Sequence, residues 1–235
     1  MLRYKADLRS VVFMILAAVV LVVMWQFGFD MPLYAFVPLY IGQLLLAVIV
    51  AVMVHNHQHL SMWTSKTMNY ITDYWLTIFY GFPIFAWIPT HMGNHHVNVN
   101  TEEDYTRTYK YSDKNNLLTL ITYPSISGVS QQKPVKDFFF ATYKRNKKRF
   151  FTQFLQIFFL IAFVAVTVIL DWQKAILFVI IPQQISLYSV LIFNYVQHVH
   201  ADESTKFNNS RNFVGKTLNF LLLNNGYHMA HHLYP

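Results

Sequence analysis

The sequence has no cysteine, so disulfide bonds and thiolate metal ligands are both excluded. Charge is also scarce, because only 12% of the 235 residues are Asp, Glu, Lys or Arg. A soluble domain usually contains about 25% of these residues. Hydrophobic residues make up 54% of the chain. The low charge and the high hydrophobic content indicate an integral membrane protein. Because cysteine is absent, any transition metal must be held by histidine, carboxylate, amide or water.

Four stretches are each long and apolar enough to cross a hydrocarbon core of about 30 Å as a helix. They are Val11–Phe29, Leu33–Val54, Phe151–Leu170 and Ala175–Val196. Short connections join them in two pairs, which predicts two helical hairpins. No small-residue cleavage site follows the first stretch, which we interpret as an uncleaved anchor. We therefore expect an all-α membrane fold, one domain over residues 1–235, with a helical cap formed by residues 55–150 and 197–235.

Two shorter apolar stretches, Tyr74–Pro89 and Leu117–Val129, are expected to be interfacial or re-entrant helices, because neither can span a bilayer comfortably. In this topology Lys174 is the only one of the 18 Lys and Arg residues on the outer side. Basic loops mark the cytoplasmic face of a membrane protein. We therefore expect both termini and the cap to be cytoplasmic, as in a bacterial inner-membrane protein. The net charge of +7 then requires no nucleic-acid partner.

All 11 histidines fall on this predicted inner side, in four groups. Two groups end the second and fourth spans, and two lie in the cap. Helix positions three and four apart share a face. We therefore expect four sets of side chains to converge: His55 with His59, His91 with His95, Asn194 with His198, and His228 with His231 and His232.

The number of convergent histidines predicts a dinuclear metal site. The candidate ligands are His55, His59, His91, His95, His96, His198, His228, His231 and His232. These nine exceed the needs of one tetrahedral zinc ion and suit two metals with four or five ligands each. His57 lies roughly 200° around the helix from His55. His57 is therefore left open as a ligand. His200 is also left open, because a single histidine on a surface loop is usually only solvated.

Three of the four groups resemble the histidine boxes of the membrane fatty acid desaturase and hydroxylase superfamily. The boxes read His55…His59, His91…His95-His96 and His228…His231-His232. Residues 224–235 are similar to the third box of bacterial acyl-lipid desaturases. Asn194…His198 resembles a motif on the fourth span of animal acyl-CoA desaturases, where the histidine binds metal and the asparagine reaches a metal through water.

This resemblance implies two non-haem iron ions, O2 as co-substrate and four spanning helices under a cytosolic cap. It also implies a fatty acyl lipid, acyl-CoA or acyl-carrier substrate in the bilayer. No His-Pro-Gly-Gly haem-binding segment is present, so electrons would come from a separate ferredoxin, rubredoxin or cytochrome. Carboxylates commonly orient ligand imidazoles. The candidates for that role are Asp73, Asp104, Asp202 and Glu203.

Several activities remain open at this point. Desaturation is the leading expectation, and a hydroxylase or an alkene-forming oxidative decarboxylase would use the same chemistry. A membrane zinc hydrolase usually needs a Glu base, as in His-Glu-x-x-His, and the sequence lacks that motif. A metal transporter should place its ligands near the bilayer midplane, whereas these histidines lie at span ends and in loops.

Overall fold

The computed structural model describes residues 1–205 and 207–234. Within them there is no β-strand, only an isolated antiparallel bridge between Leu2 and Trp63. The chain divides into two compact units. Unit 1 contains Met1–Ile84 and Phe151–Leu187, and unit 2 contains Phe85–Phe150 and the chain from Tyr188 onward. The expected all-α fold is confirmed, and the expectation of one domain stays a prediction.

Ten α-helices are present among the described residues. In chain order they are α1 (Leu8–Phe27), α2 (Leu33–His59), α3 (Lys66–Tyr80), α4 (His96–Asn98), α5 (Leu117–Arg145), α6 (Lys147–Leu170), α7 (Trp172–Ala175), α8 (Ile181–His198), α9 (Lys216–Leu221) and α10 (His228–Leu233). Two π-helical stretches, Ile88–His95 and Ile176–Ile180, lead into α4 and α8.

Among the residues that the structure describes, four helical segments are long and apolar enough to cross a membrane, which confirms the predicted multi-pass architecture. They are Lys5–Asp30, Leu33–His59, Lys147–Leu170 and Trp172–His198. Each is longer than the apolar run that predicted it. Backbone hydrogen bonding does not stop where side chains become polar, so the helices continue into the basic and histidine-rich residues at their ends.

The two shorter apolar stretches have different structures. The first holds the end of α3, which stops at Gly81 with a left-handed φ of 83°. A Cβ at Gly81 would lie 2.5 Å from Cβ of Gln183. Both the positive φ and this close approach therefore require glycine. The second stretch is only the beginning of α5, which runs for 29 residues. That either stretch lies at a membrane interface stays a prediction.

In unit 1, the π-helical stretch before α8 is supported by donors from α2. Pro182 has no backbone N–H, so a carbonyl group about one turn before it lacks its helical hydrogen-bond donor. Nε2 of Gln43 donates to the carbonyl of Phe178 at 2.8 Å, and the hydroxyl of Tyr40 donates to the carbonyl of Leu177 at 3.0 Å. These bonds satisfy backbone groups that have no water in a hydrocarbon layer.

Candidate metal centre

Four histidines of unit 2 converge at the end of α8, and we call them group A. Group A consists of His95, His198, His228 and His232, whose ligand nitrogens all lie within 4.8 Å of one another. Three Nε2 atoms form a triangle: His198 to His228 is 2.9 Å, His228 to His232 is 3.1 Å and His232 to His198 is 3.2 Å. Separate parts of the chain thus present nitrogen atoms to one small volume.

The protonation of His198 determines what its Nε2 can do within this triangle. Nδ1 of His198 lies 2.8 Å from the carbonyl oxygen of Asn209. A carbonyl only accepts, so neutral His198 carries its proton on Nδ1 and turns the Nε2 lone pair into the triangle. Two nitrogens bound to one ion at about 2.1 Å would be about 3.0 Å apart at a right angle and about 3.4 Å at the tetrahedral angle. The observed separations suit a shared metal ion.

His95 provides a further test of this fit. Its Nδ1 lies 2.7 Å from Oδ2 of Asp104, which places the ring proton on Nδ1. Its Nε2 is buried and has no hydrogen-bond partner among the residues that the structure describes. A buried polar atom without a partner is costly. A metal ion bound at Nε2 removes that cost, so the residues of group A fit a metal.

Asp104 is fully buried but remains a good acceptor. Burial raises the pKa of its carboxyl group, but the charge and hydrogen bond of His95 and the backbone N–H donors of Asn100 and Thr106 outweigh it. The net result is a pKa held below its usual value. In group A itself, burial and then the neighbouring imidazoles lower the pKa of His232. The candidate centre therefore combines an uncharged imidazole, that of His232, with a carboxylate that orients the neighbouring His95.

Three further histidines of unit 2 form a second cluster, which we call group B. Group B consists of His91, His96 and His231. Nε2 of His96 lies 3.0 Å from Nε2 of His91 and 3.0 Å from Nε2 of His231. In unit 1, the rings of His55 and His59 lie together at the end of α2, with centroids 5.1 Å apart. That these two histidines bind the same ion as group B stays a prediction.

A π-helix explains why His91 and His95 are not in the same group. We expected them to share a face at the α-helical spacing of four. The stretch Ile88–His95 is π-helical, with bonds between residues five apart. This wider turn aligns His91 with His96 and leaves His95 to group A. The rings of His91 and His95 still lie near each other, with centroids 5.2 Å apart.

The neighbouring histidines of α10 are also divided between the groups. His228 and His232 are one helical turn apart and both belong to group A, whereas His231 belongs to group B. Consecutive residues point about 100° apart on an α-helix, so His231 and His232 cannot easily serve one ion. The rings of His96 and His232 have centroids 4.5 Å apart, so the two groups adjoin. The division favours two neighbouring ions over one.

The two histidines left open as ligands lie outside both groups. His57 is buried, and its Nδ1 accepts a hydrogen bond from the Met62 N–H at 3.1 Å. Its Nε2 donates to Oδ1 of Asp73 at 3.1 Å. Both ring nitrogens of His57 therefore have hydrogen-bond partners within unit 1. Asp73, which was expected to orient one of the candidate ligands, contacts His57 instead. His200 is exposed, and its backbone N–H donates to the hydroxyl of Tyr109.

Two of the carboxylates singled out from the sequence occupy a surface loop. Asp202 is exposed and accepts from the backbone N–H of Ser204 at 3.0 Å and from its hydroxyl at 2.6 Å. Glu203 is also exposed, and its Oε1 accepts from Nδ2 of Asn100 at 2.6 Å. Glu203 therefore contacts the loop that carries Asp104, and Asp202 stabilises its own turn.

Asn194 contacts two groups that its sequence motif did not indicate. Its Nδ2 donates to the carbonyl of Thr106 at 3.2 Å and to the hydroxyl of Tyr123 at 2.6 Å. The expected water-mediated link from Asn194 to a metal stays a prediction. Sequence reasoning also missed the Asn209 carbonyl that orients His198. A backbone carbonyl in an irregular loop leaves no residue-type signal that could have identified it.

Comparison with known proteins identifies one family. A family model described as fatty acid desaturase matches residues 31–235. This region contains all of group A, all of group B and the pair on α2. No curated protein and no solved structure matches the chain.

Proposed function

The chain belongs to the fatty acid desaturase family, and from this premise we propose that it is a diiron enzyme that uses O2 to insert a double bond into a fatty acyl chain. The observation that carries the proposal is the division of His95-His96 and His231-His232 between groups A and B. That arrangement supplies imidazole nitrogens to two adjacent positions. Two bound irons would supply the activation of O2 and the removal of two hydrogens from the acyl chain.

The protein's own residues hold and orient the ligands. In group A, Asp104 and the carbonyl of Asn209 fix the proton positions of His95 and His198, so that Nε2 of each faces the centre. We propose that His55 and His59 complete the ligand set of the second iron with group B. Neutral imidazoles bind iron as well as several other metals, and membership of this family supports iron among them.

The membrane architecture supports an acyl substrate that is drawn from the bilayer. Two of the candidate spans, Leu33–His59 and Trp172–His198, end in histidines of the predicted metal site. We propose that this end of each span faces the cytoplasm, because the basic loops favour that orientation. The substrate would be a fatty acyl lipid, an acyl-CoA or an acyl-carrier conjugate. Electrons would come from a separate ferredoxin, rubredoxin or cytochrome.

Product analysis distinguishes the reactions that this site could perform. The purified, iron-loaded protein is incubated with acyl lipids, O2 and a reducing system, and the lipids are analysed by mass spectrometry. Desaturation removes two hydrogens, hydroxylation adds one oxygen and oxidative decarboxylation removes a carbon. We expect the loss of two hydrogens. A chain that binds a single zinc ion and leaves every acyl lipid unchanged contradicts the proposal.

A further inference from the structure

Thr106 connects Asp104 to the rest of unit 2. Its backbone N–H donates to Oδ1 of Asp104 at 2.7 Å, and its hydroxyl donates to the same oxygen at 2.8 Å. The Thr106 hydroxyl oxygen also lies 3.0 Å from Nδ1 of His95. Thr106 is buried, so these contacts are protected from exchange with solvent. The position of Thr106 therefore determines where the carboxylate and the ring of His95 lie.

Two helices fix Thr106 through its carbonyl group. The hydroxyl of Tyr123, on α5, donates to this carbonyl at 2.6 Å, and Nδ2 of Asn194, on α8, donates to it at 3.2 Å. A carbonyl oxygen only accepts, so the orientation of the Asn194 amide is determined. Tyr123 also accepts from the same Nδ2 at 2.6 Å. The three groups form a closed set of hydrogen bonds.

The surroundings of Tyr123 favour a stable hydrogen bond from its hydroxyl to the Thr106 carbonyl. The side chain is buried and packs against Tyr195, with ring centroids 5.1 Å apart. Burial and the negative charge of Asp104 raise the pKa of the Tyr123 hydroxyl, although its hydrogen bonds with Ser127, Asn194 and Thr106 act in the opposite direction. The hydroxyl thus stays protonated and remains a donor to Thr106.

We propose that Tyr123 is a positioning residue for the metal centre: it fixes Thr106, which with Asp104 holds the His95 ring so that Nε2 faces the ion of group A. The chain of contacts runs from α5 through Thr106 to His95, and each step is a hydrogen bond of 3.0 Å or less. The inference rests on the proposed function only in requiring that group A binds a metal.

The test measures metal affinity rather than lipid oxidation. The full-length chain in detergent is titrated with Co²⁺ in competition with a coloured chelator, and absorption of the bound Co²⁺ reports its ligand field. Thr106→Val and Tyr123→Phe each remove one hydroxyl with little change in shape. Loss of such outer hydrogen bonds typically lowers metal affinity by about 10–100-fold. We expect a loss in this range for one of two bound ions, with a changed spectrum for that ion.

Two variants control for general damage. Thr106→Ser keeps the hydroxyl and should restore the affinity. Tyr195→Phe removes a neighbouring buried tyrosine hydroxyl that donates to Asn115 at 3.4 Å and has no part in the Thr106 contacts. This variant should bind Co²⁺ as the unmodified protein does. Unchanged binding in either Tyr123→Phe or Thr106→Val overturns the inference, and so does an equal loss in Tyr195→Phe.

The outcome is separable from the proposed function. Two Co²⁺ ions bound with the expected variant pattern, together with iron-loaded protein that oxidises no lipid, would contradict only the proposed activity. Lipid oxidation by the iron-loaded protein, together with variants that bind Co²⁺ normally, would contradict only the role of Tyr123.

Discussion

Nδ1 of His95 lies 2.7 Å from Oδ2 of Asp104, and both side chains are completely buried. A buried carboxylate beside a histidine fixes the ring proton on the nitrogen that faces it. The other nitrogen, Nε2, then offers a lone pair to a space that no described residue fills with a donor. The loop after α4, which carries Asp104, therefore determines which nitrogen of His95 is available to bind a metal in the proposed centre.

Asp104→Asn tests that link with a minimal change of shape. The amide can turn an N–H toward His95, which disfavours the proton on Nδ1 and so removes the lone pair from Nε2. We expect the affinity for one metal ion to fall by about 10–100-fold. Metal content after dialysis against a chelator provides the measurement. Asp202→Asn alters an exposed carboxylate and should retain all metal.

Removing a ligand from either group should abolish oxidation. His95→Ala deletes a nitrogen of group A, and His231→Ala deletes one of group B. Because the proposed reaction needs both irons, each variant should form no desaturated product within the detection limit of mass spectrometry. His200→Ala, at an exposed position outside both groups, should keep full activity. Normal product yield in either of the first two variants would show that the ligand assignment is wrong.

His57→Ala should affect stability more than metal binding. The substitution removes two hydrogen bonds from a buried side chain, to Met62 and Asp73. Each lost bond of this kind costs about 1–3 kcal/mol when a buried partner is left unsatisfied. We expect a lower unfolding temperature in detergent, weakened activity and an unchanged number of metal ions per chain. Loss of one ion in this variant would instead make His57 a ligand.

The raised pKa of Tyr123 predicts a stability loss at alkaline pH. Burial and the charge of Asp104 make the folded chain keep this proton at pH values where the unfolded chain has lost it. The unfolded state then binds fewer protons, so stability is fully present below about pH 10 and falls as pH rises above that value. The difference in unfolding temperature between the unmodified protein and Tyr123→Phe should therefore shrink above about pH 10. A difference that does not vary with pH would contradict this account.

The sequence predicted those features that depend on regular helices. Apolar length predicted four spans, and a spacing of four predicted that His228 and His232 would converge, as they do. The same spacing did not place His91 and His95 in one group, because a π-helix replaces the α-helix at that box. A local change from four to five residues per hydrogen-bonded turn cannot be recognised from residue types alone.

The partners that orient the ligands were harder to predict. Asp104 was among the carboxylates expected to orient a ligand, but so was Asp202, which stabilises an exposed turn. Irregular loops have no periodicity, so nothing in the sequence ranks one loop carboxylate above another. The role of Thr106 was not predicted for the same reason, since it depends on a backbone carbonyl that meets two distant helices.

The central claim is that the histidines hold two neighbouring irons. Metal analysis combined with ⁵⁷Fe Mössbauer spectroscopy of the iron-loaded, oxidised protein tests it most directly. The account predicts two irons per chain with the diamagnetic ground state of a coupled pair. A single isolated iron per chain, or two irons without magnetic coupling, would contradict it.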